Sequence, residues 1–327
     1  MTASDRPVAL VTAPLRGAGL DRLHELVDVT HEPWIDHQPL RILDSAALAA
    51  RAEELGATVL VVEADSVKGP VLELPLVAVA STRGDPNNVD VAAATAAGIP
   101  VLHAPGRNAD AVAEMALALL FALNRHVLAA DADVRAGRVY AGGTIPYQRF
   151  RARELNGATM GIVGLGAVGR ALAWRAEGLG MRVISADPYA ADATHSLDDL
   201  LAEADVVSMH APVTEETTGM IGEKQFAAMK DGAVFLNTAR AHLHDTDALV
   251  EALQDGKLAG AGLDHFVGES LPTDHPLVSM ANVVLTPHIG GATYDTETRQ
   301  SVMVADGLEA LLAGRRPAHI VNPEVLG

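Results

Sequence analysis

Three polar side chains stand where the surrounding pattern reads as strand ends: Arg240 after 233–237, Glu269 just past 260–264, and His288 after 283–285. In open parallel sheets, ligands bind outside the carboxyl ends of the strands. Arginine can clamp a carboxylate with two prongs, histidine exchanges a proton near neutral pH, and glutamate can orient that histidine. Such a trio suits the interconversion of a 2-oxo acid and its 2-hydroxy form. Each member alone has an ordinary reading, as a solvated charge or a structural histidine, so their surroundings must decide.

A second set concerns a nucleotide. Gly164-Leu165-Gly166-Ala167-Val168-Gly169 follows a strand pattern over 160–163 and opens a helical pattern over 168–179 that stops at Gly180. In such a turn the first glycine permits the tight bend, the second lets the backbone approach a pyrophosphate, and the third allows helix and strand to pack closely. The helix N-terminus adds partial positive charge. Asp187, 18 residues beyond Gly169, ends the next strand pattern at 182–186, where a carboxylate can accept hydrogen bonds from ribose hydroxyls. It is followed by Pro188-Tyr189, with no adjacent arginine to receive a 2′-phosphate, so the expected cofactor is NAD rather than NADP.

The elements that must position these residues alternate along the chain. Strand patterns at 8–11, 58–62, 76–80 and 100–102 alternate with helical patterns at 20–26, 45–55 and 92–97. The second half repeats the alternation, with strands at 206–209, 233–237 and 283–285, helices at 247–254 and 296–312, and Ser196 with Asp199 as a helix-capping pair. This is the pattern of parallel sheets flanked by helices. Asn108 is expected to cap one long helix running to about Gly137, with Val112, Met115, Leu119, Leu123 and Val127 at spacings of three and four.

At 327 residues the chain is expected to form two domains with a site in a cleft. Apolar residues at 49% and charged residues at 20% are ordinary for a globular protein, while aromatics at 3% leave the core to Ala, Val and Leu. The 42 acidic against 24 basic residues give a net charge of −18, which argues against nucleic acid and acidic membrane surfaces as partners. With no cysteine, disulfides, thiolate catalysis and Cys-type zinc sites are excluded. The apolar stretch 115–123 falls far short of the ~20 residues a membrane span needs. The first residues lack a basic region and cleavage site, so a cytoplasmic location is expected. His242 and His244 lie two apart without a clear third ligand, and no metal is expected.

The wording around the polar trio is more specific than its composition. Asn237-Thr238-Ala239-Arg240, Gly262-Leu263-Asp264 with Glu269, and Thr286-Pro287-His288-Ile289-Gly290-Gly291-Ala292-Thr293 together resemble the D-isomer-specific 2-hydroxyacid dehydrogenase family. Val112-Ala113-Glu114, His210-Ala211-Pro212 and Asn88-Val89-Asp90 extend the resemblance over roughly residues 80 to 295. It implies an α/β architecture of two doubly wound parallel-sheet domains. A Rossmann NAD-binding domain at 105–292 would be inserted into a flavodoxin-like substrate domain built from 1–104 and 293–327.

The family includes phosphoglycerate dehydrogenases and hydroxypyruvate and glyoxylate reductases. By that resemblance Arg240 binds the substrate carboxylate and polarises its C2 carbonyl. His288 is the acid/base, and Glu269 hydrogen-bonds it and orients its ring. Asp264 lies at the nicotinamide side; Thr238 and Ala239 face the cofactor, and His210, Pro212, Thr217 and Gly290 join its contacts. Arg83, Gly84 and Asn108 match loop positions that meet the substrate. Expected partners are a small 2-hydroxy or 2-oxo acid and a second copy of the chain, joined through the nucleotide domain near 111–128. A non-catalytic, NAD-sensing corepressor-like protein is the alternative the same resemblance allows.

Several positions depart from the family's wording. Ala241 stands where glycine is usual, followed by His242-Leu243-His244, and His265 replaces an apolar residue. Asp85 replaces a second glycine, where it would repel a carboxylate unless turned away. With the sequence ending at Gly327, the C-terminal regulatory domain of some phosphoglycerate dehydrogenases is not expected.

Overall fold

A computed structural model describes residues 6–327, which separate into two compact units. One runs to Arg107 and resumes over Thr293–Gly327; the other is Asn108–Ala292. Each is built on a wholly parallel sheet, and each sheet is doubly wound.

In the first unit the strands are β1 (Val8–Val11), β2 (Asp28–His31), β3 (Val59–Val62), β4 (Ala78–Ser81) and β5 (Val101–Leu102), ordered β2-β1-β3-β4-β5. This is the flavodoxin-like order. Alternate residues of β1 feed opposite layers, Leu10 packing with Leu48 and Leu60 on one face, Ala9 and Val11 with Leu23 and Leu308 on the other. Burial on both faces explains why β1, β3, β4 and β5 read as continuous apolar runs. The helix Tyr294–Leu312 returns the chain to this unit, packing on the helix Gly17–Leu26.

The second unit holds β6 (Thr159–Val163), β7 (Arg182–Ala186), β8 (Val206–Met209), β9 (Ala233–Asn237), β10 (Leu258–Leu263) and β11 (Val283–Leu285). Their order is β11-β10-β9-β8-β6-β7, so the winding reverses between β6 and β8. That reversal is the switch point at which doubly wound sheets bind nucleotides. Phe235 faces Phe226, with ring centroids 5.2 Å apart, in one layer, while the next residue, Leu236, joins Leu119 and Leu172 in the other. On β10 a Cβ at Gly262 would sit 2.9 Å from Leu119 Cβ, so only glycine lets the helix Ala109–Asn124 settle on this strand.

That helix is shorter than the periodicity predicts. It ends at Asn124, and a second helix, Val127–Arg135, leaves at a bend of 60°. His126 sits between them in the left-handed region, with φ 52°, which halts the helical ladder. Nor does Asn108 cap the helix, since its side chain makes no capping hydrogen bond and packs beside Gly291 instead. Also missed are β2 and the helices Pro146–Arg149, Glu223–Ala228 and Pro276–Ser279, all too short to show a period. Among the described residues, no single helix is long and apolar enough to cross a membrane.

Candidate active site

The register of the second sheet brings three strand ends side by side, because Leu263 pairs with Asn237 on one flank and with Leu285 on the other. The residues that follow them therefore emerge along one edge. After β9, the Asn237 side chain folds the turn that carries Arg240: its carbonyl oxygen accepts from the Ala239 N–H (3.0 Å), and its amide donates to the Arg240 carbonyl (2.8 Å). The same amide nitrogen lies 3.0 Å from His244 Nδ1. A nitrogen facing a donor must accept, so His244 is held in its neutral form. Burial pushes its pKa down to about 4. Arg240 itself is exposed, with one guanidinium nitrogen on the Ala239 carbonyl at 2.6 Å.

After β10 comes Asp264, fully buried. One of its oxygens accepts from the Thr286 hydroxyl (2.6 Å) and the Ile289 N–H (2.9 Å), and the other from the Gly290 N–H (2.7 Å). Its carboxylate is thus spent on the loop after β11, and its part is to position that loop. A Cβ at position 290 would stand 2.9 Å from Asp264 Oδ2, which accounts for Gly290. Within the loop, His288 presents Nδ1 to Glu269 Oε2 at 3.0 Å. Both side chains are largely exposed. Both backbones also lie in the left-handed region, Glu269 at φ 60° and His288 at φ 54°; among the described residues only His126 shares this outside glycine. Such conformations cost free energy and gather at functional sites.

His265 lies against this pair. It is buried, its ring centroid is 3.8 Å from that of His288, and its pKa is pushed down to about 4, first by burial and then by its neighbours His288 and Arg240. The histidines expected as a loop pair, His242 and His244, diverge: one is exposed, the other buried behind Asn237.

At the switch point between β6 and β8, Gly164 has φ 95°, and a Cβ there would fall 2.5 Å from the Ala211 nitrogen. Glycine is required. A Cβ on Gly169 would meet the Gly164 carbonyl at 2.2 Å, whereas Gly166 faces open space, as an approaching pyrophosphate needs. Gly166 begins the helix Ala167–Gly178 without a side-chain cap, so the first N–H groups, at Ala167 and Val168, are left for a ligand. Asp187 is pinned beside the turn, one oxygen accepting from the Leu165 N–H (2.7 Å) and the other from the Tyr189 N–H (2.9 Å).

His210 bonds Ser208 through Nε2 at 2.8 Å, and its pKa falls to about 4 through burial. Its Nδ1 and the Thr238 hydroxyl are buried without a hydrogen-bond partner among the described residues. Two orphaned polar atoms and an uncapped glycine turn fit a dinucleotide. Thr217 spends its hydroxyl on the loop itself, donating to the Pro212 carbonyl at 2.6 Å, so these two shape the turn together.

Arg83 and Gly84 belong to the first unit. The Arg83 Nε donates to the Glu63 carbonyl at 2.6 Å and an Nη donates to Asn87 at 2.7 Å, while Gly84 gives its carbonyl to His103 at 2.8 Å. Asp85 is exposed. Sequence reasoning missed Asn237 and Thr286 as positioning residues. An asparagine at a strand end before a turn is a recognisable signal, since its side chain readily bonds backbone two or three residues on.

A glycine cradle at a switch point, beside an Arg, Glu and His set on neighbouring strand ends, is the equipment of a nicotinamide-dependent oxidoreductase. Residues 117–290 match the family described as D-isomer specific 2-hydroxyacid dehydrogenase, NAD binding domain. A glyoxylate reductase of Korarchaeum cryptofilum is 37% identical, over 98% of this chain and 97% of its own length. A D-3-phosphoglycerate dehydrogenase of Mycobacterium leprae is 38% identical over 97% of this chain but only 59% of its own length. Among solved structures, a Thermus thermophilus protein superimposes with a TM-score of 0.81 at 39% identity, covering 96% of this chain and 99% of that one. The chain belongs to the D-isomer specific 2-hydroxyacid dehydrogenase family, enzymes that move a hydride between NAD(H) and C2 of a 2-hydroxy or 2-oxo acid. None of these relatives supports the corepressor-like alternative.

The buried histidines make stability depend on pH. His210 and His244 both fall from an ordinary 6.5 to about 4 on folding, so between those values the unfolded chain binds protons that the native state refuses. Stability is complete above pH 6.5 and declines as the pH drops towards 4, by roughly 2–3 kcal/mol for each group. Urea midpoints measured from pH 7 to 4.5 should fall steadily, and His244→Gln should flatten the slope. A constant midpoint over that range would contradict the assignment.

Proposed function

We propose that the chain reduces a small 2-oxo acid of the glyoxylate or hydroxypyruvate class, with Arg240, Glu269 and His288 as its working groups. NADH, when bound at the glycine turn, supplies the hydride. Arg240 holds the substrate carboxylate and draws electron density from the C2 carbonyl. His288 gives its proton to the oxygen left at C2, and takes it back in the oxidative direction. Glu269 fixes the imidazole so that its other nitrogen faces the substrate. The observation that carries this reading is the 3.0 Å contact between His288 Nδ1 and Glu269, made by two residues whose backbones both adopt a costly conformation.

The substrate class rests on the glyoxylate reductases, which are 37% identical along nearly the whole length of both chains. A chain without cysteine suits the reducing cytoplasm, where we place it.

A screen of 2-oxo acids with NADH should find glyoxylate or hydroxypyruvate best. On that substrate His288→Ala should lower kcat by roughly 10²–10⁴-fold while NADH binding is retained. Wild-type turnover in His288→Ala would end this reading.

Asp187 is assigned the ribose hydroxyls, and its charge would repel a 2′-phosphate. Asp187→Ala should cost about 10–100-fold in kcat/KM with NADH, the worth of one or two charge-assisted bonds, and narrow the gap to NADPH. The assignment fails if the wild type already prefers NADPH.

A second copy of the chain is the proposed partner. The helix Ala109–Asn124 buries most of its apolar face within its own unit, so the proposed contact moves to the residues after it. Val127, Leu128, Val134, Tyr140 and Tyr147 are all exposed there, and so many exposed apolar side chains in one stretch call for cover. Sedimentation equilibrium at micromolar concentration should give a dimer, reduced to a monomer by Leu128→Glu with Tyr147→Glu. A wild-type mass of 34.0 kDa would remove the claim.

A further inference from the structure

The proposed reaction leaves His265 unused, although it is the histidine nearest the acid/base. It follows Asp264 directly at the end of β10, where it is buried and its ring rests against that of His288. Glu269 lies four residues on, reached through the short turn Val267–Glu269. The nitrogen and oxygen ligand atoms of His265, Glu269 and His288 all lie within 4.8 Å of one another.

That arrangement matches what a zinc-class ion requires. Two imidazoles and one carboxylate, with a fourth position open, form a recurrent zinc donor set. Bond lengths near 2.0–2.2 Å place tetrahedral ligand atoms roughly 3.3 Å apart, so the three donors need close by at most about 1.5 Å. Glu269 and His288 already stand 3.0 Å apart, and both are exposed enough to turn. His265 is the fixed member. The Arg240 guanidinium opposes an ion here, but it lies on a separate turn, bonded to the Ala239 carbonyl.

We propose that His265, Glu269 and His288 form a binding site for a divalent transition-metal ion of the zinc class. Occupation ties up the imidazole that exchanges the proton and the carboxylate that orients it, so a bound ion stops turnover. The binding stands on the geometry alone, whereas the inhibition rests on the role proposed for His288. The site reaches beyond the reaction, which calls on His288 and Glu269 but not His265.

Zinc chloride titrated into the full chain by calorimetry, in a weakly coordinating buffer, should show one ion bound per chain. Cobalt(II) should give the visible bands of a tetrahedral site and be displaced by zinc. His265→Leu should weaken zinc binding at least about 10-fold, and His265→Gln should do the same should the leucine variant fail to fold; retained NADH binding reports folding for both. In the wild type, zinc should suppress glyoxylate reduction reversibly with EDTA, and in the His265 variants it should do so only at about 10-fold higher concentration. Equal zinc affinity in wild type and both variants, or no binding to the wild type, overturns the site. Zinc binding that depends on His265 yet leaves turnover untouched upholds the site and instead overturns the role given to His288.

Discussion

The buried carboxylate of Asp264 holds the rest of the site in place. A charge removed from water is costly unless it is fully hydrogen-bonded, and here two N–H groups and a hydroxyl from a single loop satisfy it. Bonds to a charged acceptor are worth about 1.5–3 kcal/mol each, and leaving one unmade costs more. The loop after β11 therefore has little freedom to settle elsewhere. Through it the end of β10 dictates where His288 stands, and the same strand end leads on to Glu269.

Asn237 does for Arg240 what Asp264 does for His288, with a neutral amide in place of a charge. It sits at the end of β9, directly beside Leu263 in the sheet register, so both tethers grow from one row of paired residues. Small residues make that row possible, since Gly260 and Gly262 let neighbouring backbone and helix come close to β10. Packing in the layers of the sheet thus sets the positions of groups at its edge. His244 contributes as a buried neutral base behind Asn237, which is why a histidine far from neutral behaviour belongs to the support of this site.

Much of this was legible in the sequence, and the reason differs from part to part. The glycine turn could be read because each glycine answers a local steric demand, visible here as a Cβ that would collide at 164 and 169 and meet nothing at 166. The strand ends bearing Arg240, Glu269 and His288 could be read because fully buried parallel strands leave continuous apolar runs. The tether at Asn237 depends on His244 seven residues on, and the Asp264 clamp joins residues 22 to 26 apart, so no local pattern announces either. Helical periodicity carried across Arg125 and His126 because apolar spacing alone does not register one residue turning left-handed. His265 was visible as an oddity of wording, but its place against His288 required the fold.

The left-handed backbones of Glu269 and His288 have a consequence for how this chain can change. Each costs about 1–3 kcal/mol that glycine would partly relieve, so substitution at the two residues proposed as working groups offers a gain in stability. Selection for a sturdier fold, blind to turnover, would erode the site first. A lineage that dropped the proposed chemistry while keeping the nucleotide fold would thus drift towards glycine at 269 and 288.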